Sequence, residues 1–359
     1  MLRSVKFALT NCTATKLARI MAVRREYLVA INFYCASLWQ TRGKLDAATL
    51  SRYTGGSLGY RQRSDCLKMA VETVIATKLA AKAQKHRCST SVVTGGVRIS
   101  ELCAKVESFK GNGFDYCLKL SSLSKGNPIV IPLKNHRVLQ KWLAFPGAVI
   151  KHGCVLGPDY VQLCINIPDC PKKISGDELG LDAGYRRLAT TSDGEVYGTD
   201  LKKICASVAR KRPGSKGKLR AQKTRTAYIN RSLKQIPWND VRMLAVEDLT
   251  GLKLRTQRKE KSSKKTRKTM APWTYRQAIT RIEQLAQEHR VRLVYVDPRN
   301  TSRRCPCCGM VAKENRVAED FRCVRCNYSA DADTVGAVNI LAKATGNWRE
   351  DMVPALSCS

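Results

Sequence analysis

Acidic side chains are scarce in this chain of 359 residues. Its 29 Asp and Glu stand against 64 Lys and Arg, a formal net charge of +35. A surface so one-sided repels itself unless a polyanion neutralises it. That argues against a merely soluble basic protein and makes nucleic acid the expected partner, through phosphate neutralisation with counterion release. Histidine is scarcer still. His86, His136, His152 and His289 are the full set and none are clustered, which leaves little to support a His-based nuclease or a catalytic triad. Long apolar runs are missing too. None reaches the roughly 18 residues that a bilayer span needs, so no membrane partner is expected and a cytoplasmic protein is, lying on the nucleoid when bound to DNA.

What is present is basic charge in separate blocks. Residues 1–100 hold 17 Lys and Arg against Glu26, Asp46, Asp65 and Glu72, and residues 201–234 hold 12 with no acid at all. A third run, KLRTQRKEKSSKKTRK from Lys253, has the single acid Glu260. Three such regions suit a long channel better than one patch. Lys211, Arg212, Lys216, Lys218 and Arg220 are nucleic-acid contacts expected from the second block. Arg52, Tyr53, Tyr60, Arg61 and Arg63 in SRYTGGSLGYRQR are expected from the first, because basic and aromatic residues on a Gly-rich loop suit groove and stacking contacts.

Length predicts two or three domains. The acid-poor start mimics a transit peptide, but Val5, Phe7 and Leu9 alternate as in a strand, so it reads as folded protein. Ala14–Trp39 reads as one helix or two. Asp65–His86 reads as the clearest helix of the first half, with Asp65 as its N-cap. From Gly95 to about Ile174, FDYCLKL, NPIVIPL, GAVIKHGCVL and YVQLCINI are short β-rich runs, predicting a small sheet or barrel into which the N-terminal helices are inserted. Leu179–Leu181, Leu188–Thr191 and Val196–Tyr197 then predict three strands, with Ser192–Gly194 as a hairpin turn. VRMLAVEDL, the amphipathic stretch Thr274–His289, VRLVYVDP and a last apolar helix complete a mixed α/β sheet.

Three acids sit where acids are uncomfortable. Asp182 ends the apolar strand LGLD, Glu247 ends MLAVE, and Asp333 heads the helix DTVGAVNILAKA. Acids at the ends of neighbouring strands, with one on a helix packed against them, converge on a point. Converged carboxylates need cations, and hard oxygen ligands select Mg²⁺ or Mn²⁺. Two such ions activate water and stabilise the leaving oxygen of a phosphodiester. Gly180, Ala183 and Gly184 beside Asp182, and Gly336 and Ala337 after Asp333, let metal, backbone and phosphate approach closely.

Sixteen cysteines might suggest a disulfide scaffold, but most are scattered singly through apolar stretches and read as reduced thiols. The exception is a pair of CxxC knuckles. Cys305, Cys308, Cys323 and Cys326 have the spacing of a zinc ribbon, a closed Cys₄ site that is structural because it leaves no position for water. Cys307 is the spare, and Gly309 suits the knuckle's tight turn. Arg303, Arg304, Arg322 and Arg325 beside the knuckles are further candidates for touching nucleic acid.

Together GLDAG (180–184), AVEDLTGL (245–252), TSRRCPCCG (301–309), FRCVRCNY (321–328) and DADTVGAVNI (331–340) resemble the blocks of TnpB, the transposon-encoded RNA-guided nuclease related to type V CRISPR effectors and Fanzor. The resemblance is specific over roughly 176–345 and one of texture before that. It implies an α+β multidomain chain: a wedge-like β-barrel (1–10 and 95–175), an inserted helical recognition domain (11–94), a RuvC-like RNase H-fold nuclease (176–300 and 330–359) and an inserted zinc ribbon (301–329). It also implies a structured guide RNA, a double-stranded DNA target read beside a short flanking motif, one metal-dependent site, and a monomer or homodimer on one RNA. By motif position Asp182, Glu247 and Asp333 are the first, second and third catalytic acids, with Asp331 a rival for the third. Two other readings stand beside this one. A guide-loaded repressor with a dead nuclease is opposed by the retention of all three acids. A guide-free transposon nuclease is opposed by a basic first half larger than a short duplex needs.

Overall fold

Alternation of apolar residues builds the first half. In β1 (Leu2–Ala8) Val5 and Phe7 point inward, and in β8 (Tyr160–Asn166) Val161, Leu163 and Ile165 do so. These two strands pair antiparallel over their whole length. The computed structural model, which describes residues 1–40, 52–84, 92–111, 113–249 and 275–348, continues that sheet through β7 (Cys154–Leu156) to β2 (Val97–Ile99), with β6 (Val149–Ile150) also on β8. A second antiparallel sheet runs β3 (Ala104–Gly111), β4 (Phe114–Leu120), β5 (Ile129–Leu133). One core joins both sheets to two long helices, α1 (Ala14–Gln40) and α2 (Tyr60–Gln84). A short helix, α3 (Arg137–Leu143), closes over it through Leu139.

Of the two readings left open for Ala14–Trp39, the structure has the single helix, Ala14–Gln40; one expectation needs correction. Asp65 is no N-cap: its helix begins five positions earlier at Tyr60, and Asp65 lies inside it, buried, with Oδ2 accepting from the main-chain N–H of Ser100 at 2.9 Å. The carboxylate thus ties helix to sheet, a use that a local capping pattern does not reveal.

The chain divides into two units, Met1–Asp169 and Cys170–Ser359. The second is built on a five-stranded mixed sheet. Its strands β9 (Asp177–Asp182), β10 (Ala189–Thr191), β11 (Val196–Tyr197), β12 (Val241–Glu247) and β13 (Arg292–Val296) stand in the order β11-β10-β9-β12-β13. The first three form an antiparallel meander, turning at Gly194 with φ +89°. β12 and β13 then add parallel to β9. A continuous buried run in β12 is what a central parallel strand covered on both faces requires. Helices α4 (Leu201–Arg210), α5 (Lys216–Leu233) and α6 (Tyr275–Glu288) lie between the strands in sequence. Ile279, Ile282 and Leu285 of α6 share a core with Leu244 and Val246 of β12.

The last helix, α7 (Ala332–Ala344), covers the other face. There Gly180 and Ala245 are register partners on neighbouring strands, both small. A Cβ at 180 would sit 2.0 Å from the carbonyl oxygen of Ala337, so only glycine lets α7 lie this close. In sequence between β13 and α7 comes a three-stranded module of β14 (Arg316–Val317), β15 (Asp320–Arg322) and β16 (Ser329–Asp331). No described helix is long and apolar enough to cross a membrane. The basic run from Lys253 lies outside the described residues.

Candidate active site and metal centre

Strand alternation decides where the acids point. Gly180 and Ala245 face α7, so residues two positions later, Asp182 and Glu247, face the same way at the ends of adjacent parallel strands. Asp333 enters from the first turn of α7. All three line one cavity of about 440 Å³, together with Thr301, Arg316, Glu319 and Gly336. Gly336 is the counterpart of Gly180: a Cβ there would lie 2.9 Å from Oδ2 of Asp182. Of the close approaches expected at the small residues, that of backbone is the one seen at Gly180. Gly180 and Gly336 make room for the helix, and the helix brings the third acid.

This grouping is electrostatically uncomfortable. Burial, then the charges of Glu247 and Asp333, push the Asp182 carboxyl up to about 7, with Arg316 opposing. Burial also raises Glu247, against a hydrogen bond from Thr301 Oγ1 to its Oε1 at 2.5 Å and the nearby Lys343 and Arg316. Asp333 Oδ1 accepts from Arg316 Nη2 at 2.8 Å. Oxygen donors that repel one another, facing a cavity of this size, fit a hard divalent cation.

Asp331 is occupied otherwise. It caps α7, its Oδ1 accepting from the N–H groups of Asp333 and Thr334 at 3.1 Å, while its Oδ2 pairs with Arg187 at 2.7 Å. Burial works against its charge, yet the Thr334 N–H and the Arg187 guanidinium hold its carboxyl below the usual range. In the cavity wall Arg186 and Glu319 form an ion pair of their own.

The cysteines close around a single point. Cys305, Cys308, Cys323 and Cys326 are the one group of three or more His, Cys, Asp or Glu, among the described residues, whose donor atoms all lie within 4.8 Å. Sγ of Cys305 lies 3.6 Å from that of Cys326, and Cys308 3.5 Å from Cys323. Bonds of about 2.3 Å to zinc in a tetrahedron give edges of about 3.8 Å, so the four sulphurs fit zinc. The two knuckles repeat one device. Gly309 (φ +75°) and Asn327 (φ +57°) follow the second cysteine of each pair, and their N–H groups bond the carbonyls of Cys305 and Cys323 at 3.0 Å. Gly309 was legible as a turn residue; Asn327 is the same turn written in the other residue that tolerates positive φ. Burial pushes the Cys305 thiol up to about 12. Against that same burial, the N–H groups of Cys326 and Arg325 hold Cys323 down at about 7. Thirteen described cysteines are free.

The expected nucleic-acid contacts divide by exposure. Arg52, Tyr60 and Arg61 are exposed, and Tyr60 and Arg61 border a cavity of about 550 Å³ that includes Ser122, Lys125 and Asn127. Lys211, Arg212, Lys216 and Arg220 are exposed around the α4–α5 turn, with Lys218 partly so, and Arg303 is exposed by the first knuckle. Three residues are spent elsewhere. Tyr53 is 5% exposed, packed against Phe33 and Tyr34 with ring centroids 5.3 and 5.8 Å away. Arg63 donates to the Tyr53 carbonyl at 3.1 Å. Arg304 is 6% exposed, its guanidinium 4.5 Å from the ring centre of Trp348. The placement of Tyr53 and Arg304 corrects their expected role as contacts. Thr301, Arg316 and Arg187 were missed, since hydrogen bonds across long sequence separations leave no spacing signal; only the TS before the first knuckle hinted at Thr301.

Parts of the chain are similar to known proteins. A model of the Cas12f1-like TNB domain matches residues 275–340. InsQ of Escherichia coli (strain K12), by its name a candidate RNA-guided DNA endonuclease, is 31% identical over 204 residues, covering 48% of this chain and 50% of InsQ. The CRISPR-associated endodeoxyribonuclease Cas12f1 of Sulfoacidibacillus thermotolerans is 38% identical over 69 residues, 19% of this chain and 16% of that protein. The chain thus spans half or less of the length of these named relatives. A solved structure of a Cas12f1–sgRNA–target DNA complex superposes with TM-score 0.55 at 14% identity, covering 95% of this chain and 98% of that one, a likeness of fold alone.

Proposed function

We propose that this chain, a member of the family that unites TnpB with the type V effectors, is an RNA-guided DNA endonuclease with one active site at Asp182, Glu247 and Asp333. One observation carries the reading: in a chain of net charge +35, three carboxylates from three separate elements line a single cavity. The sheet order β11-β10-β9-β12-β13, an antiparallel meander extended by two parallel strands, supports an RNase H-like, RuvC-type nuclease. The wedge and recognition domains are assigned to 1–10, 95–175 and 11–94, and the ribbon to 301–329.

Asp182, Glu247 and Asp333 would hold magnesium or manganese through their oxygens, and the bound ion would supply the activation of water and the stabilisation of the leaving oxygen. The chain supplies the rest. Asp182 and Glu247 are fixed by the parallel register, and Asp333 by the cap at Asp331. Arg316 neutralises Asp333 at the cavity wall. Cys305, Cys308, Cys323 and Cys326 would hold zinc, which would fix the module that carries Arg316. Arg52, Arg61, Lys211, Arg212, Lys216, Lys218, Arg220 and Arg303 are proposed to track phosphate, while base pairing carries the sequence information and side chains read only a short flanking motif.

The test is to express the protein with its native downstream flank, purify it and look for bound nucleic acid, then add DNA matched to that nucleic acid with and without Mg²⁺. A discrete RNA of uniform length and Mg²⁺-dependent cleavage are expected. Cleavage without a discrete RNA would replace this reading by a guide-free nuclease. A discrete RNA with target binding but no cleavage would replace it by a repressor.

A further inference from the structure

Thr301 is where the sheet gives way to the cysteine module, and it is 2% exposed at the wall of the carboxylate cavity. A buried hydroxyl has one proton to place. Two acceptors are in reach, Glu247 Oε1 at 2.5 Å and the Pro298 carbonyl at 3.0 Å. An ionised carboxylate is the stronger acceptor and here also the nearer one, so the proton is directed to Glu247. Thr301 is itself held. Its carbonyl accepts from Asn339 Nδ2 at 2.8 Å, and the same nitrogen donates to the Arg304 carbonyl at 2.7 Å. Asn339 is 1% exposed and belongs to α7, the helix that also carries Asp333.

Resting on the metal-site reading above, we propose that Thr301 is a positioning residue: its hydroxyl ties down one oxygen of Glu247 and leaves the other turned to the cavity for a divalent cation, while Asn339 locks Thr301 to the helix that bears Asp333. The terminal torsion of a glutamate is broad and two-fold, so an untethered carboxylate has no fixed aim. Glu247 also has rival attractions in Lys343 and Arg316. Released from Thr301, it is free to turn to these cations in place of the metal. Two of the three acids thereby gain their geometry from α7, Asp333 directly and Glu247 through Asn339 and Thr301. Partners of this kind, one step removed from the ion, fix the orientation of its ligands.

The test is a Mn²⁺ titration of the full-length, RNA-loaded protein followed by electron paramagnetic resonance, with zinc content measured in parallel. The Glu247→Gln isotherm serves as the blank, because it retains whatever Mn²⁺ the RNA and the surface hold. Thr301→Val keeps the shape and removes the hydroxyl; Thr301→Ser keeps the hydroxyl. Thr301→Val is expected to weaken the blank-corrected binding by about 10- to 100-fold, with zinc unchanged and cleavage restored by raised Mn²⁺, a rescue that mere destabilisation would not allow. Thr301→Ser is expected to stay within about threefold of the unsubstituted protein. Binding by Thr301→Val equal to that of the unsubstituted protein overturns the positioning role, as does equal damage in Thr301→Ser. If Glu247→Gln itself binds like the unsubstituted protein, the metal-site reading fails, and the positioning role with it.

Discussion

Four sulphurs and three carboxylates form two groups in the same unit, and they are assembled in opposite ways. The cysteines lie between 305 and 326 and are gathered by two copies of one backbone turn. The acids span 182 to 333 and meet only because two strands run in parallel register and a helix is admitted by glycine. The difference extends to electrostatics. Among the cysteines, N–H groups hold Cys323 down at about 7 against burial, whereas burial and the neighbouring acids lift Asp182 to about 7. Nor are the two independent. Thr301 and Arg316, the side chains that bond Glu247 and Asp333, both come from the cysteine module. The locally assembled site thus lends partners to the dispersed one, and α7 in return packs Ala332 and Val335 on the cysteine module and bonds it through Asn339.

That contrast is most strongly tested by paired substitutions. On the proposed reading Asp182→Ala is expected to reduce DNA cleavage by about a thousandfold or more, because it would remove a ligand of the ion proposed to activate water. Zinc content and RNA binding should be unchanged. Cys323→Ser is expected to do both kinds of damage. A structural zinc site contributes on the order of 10 kcal/mol to folding of its module, so zinc should be lost and cleavage should fall with it. Elemental analysis beside a cleavage assay reads both. Full cleavage by a zinc-free Cys323→Ser protein would break the comparison, and so would zinc loss in Asp182→Ala.

A smaller effect isolates the helix. Gly180→Ala places a methyl 2.0 Å from the Ala337 carbonyl, a backbone atom that cannot step aside. Gly336→Ala places one 2.9 Å from Asp182 Oδ2. Overpacking of this kind costs about 1–3 kcal/mol, and the shift of α7 displaces Asp333 from its partners. Both variants are expected to cut more slowly by about tenfold to a hundredfold, on the scale by which small misplacements act, with zinc retained. The melting temperature should fall more for Gly180→Ala. An unchanged rate in both variants would show that the close seating of α7 is not what assembles the acids.

The same contrast explains what was legible in the sequence. The cysteine cluster was readable because all its information is local: two CxxC pairs and a turn glycine. The strands that end in Asp182 and Glu247 were readable from apolar runs closed by an acid. Thr301, Arg316 and Asn339 were not, because each acts through a hydrogen bond to a distant position, and a polar residue in a loop or helix looks like any other. Asp65 shows the error in reverse. Its place before an apolar run imitated a cap, while the helix had already begun and the carboxylate had a buried partner on another element. The Gly-rich loop misled in the same manner, since Tyr53 there was taken by the core.

The subtlest expected effect concerns protons. In the metal-free protein the Asp182 carboxyl stands at about 7 against an ordinary value of 3.8. The folded chain therefore holds this proton more tightly than the unfolded chain. The stabilisation is fully present below pH 3.8 and is lost as the pH rises through about 7. It amounts to no more than a few kcal/mol, since each tenfold difference in proton affinity corresponds to about 1.4 kcal/mol. Metal-free protein is thus expected to melt at a lower temperature at pH 8 than at pH 5.5, a trend that Asp182→Asn should flatten. Mg²⁺ competes with that proton, so its stabilising effect should run the other way and grow from pH 5.5 to pH 8. Differential scanning fluorimetry with and without Mg²⁺ at the two pH values reads both slopes. If Mg²⁺ stabilises equally at pH 5.5 and 8, the ion does not displace the Asp182 proton, and the acids are not its ligands. Zinc in the cysteine cluster should remain bound at both pH values, so that the acid centre alone gives way to protons over this range.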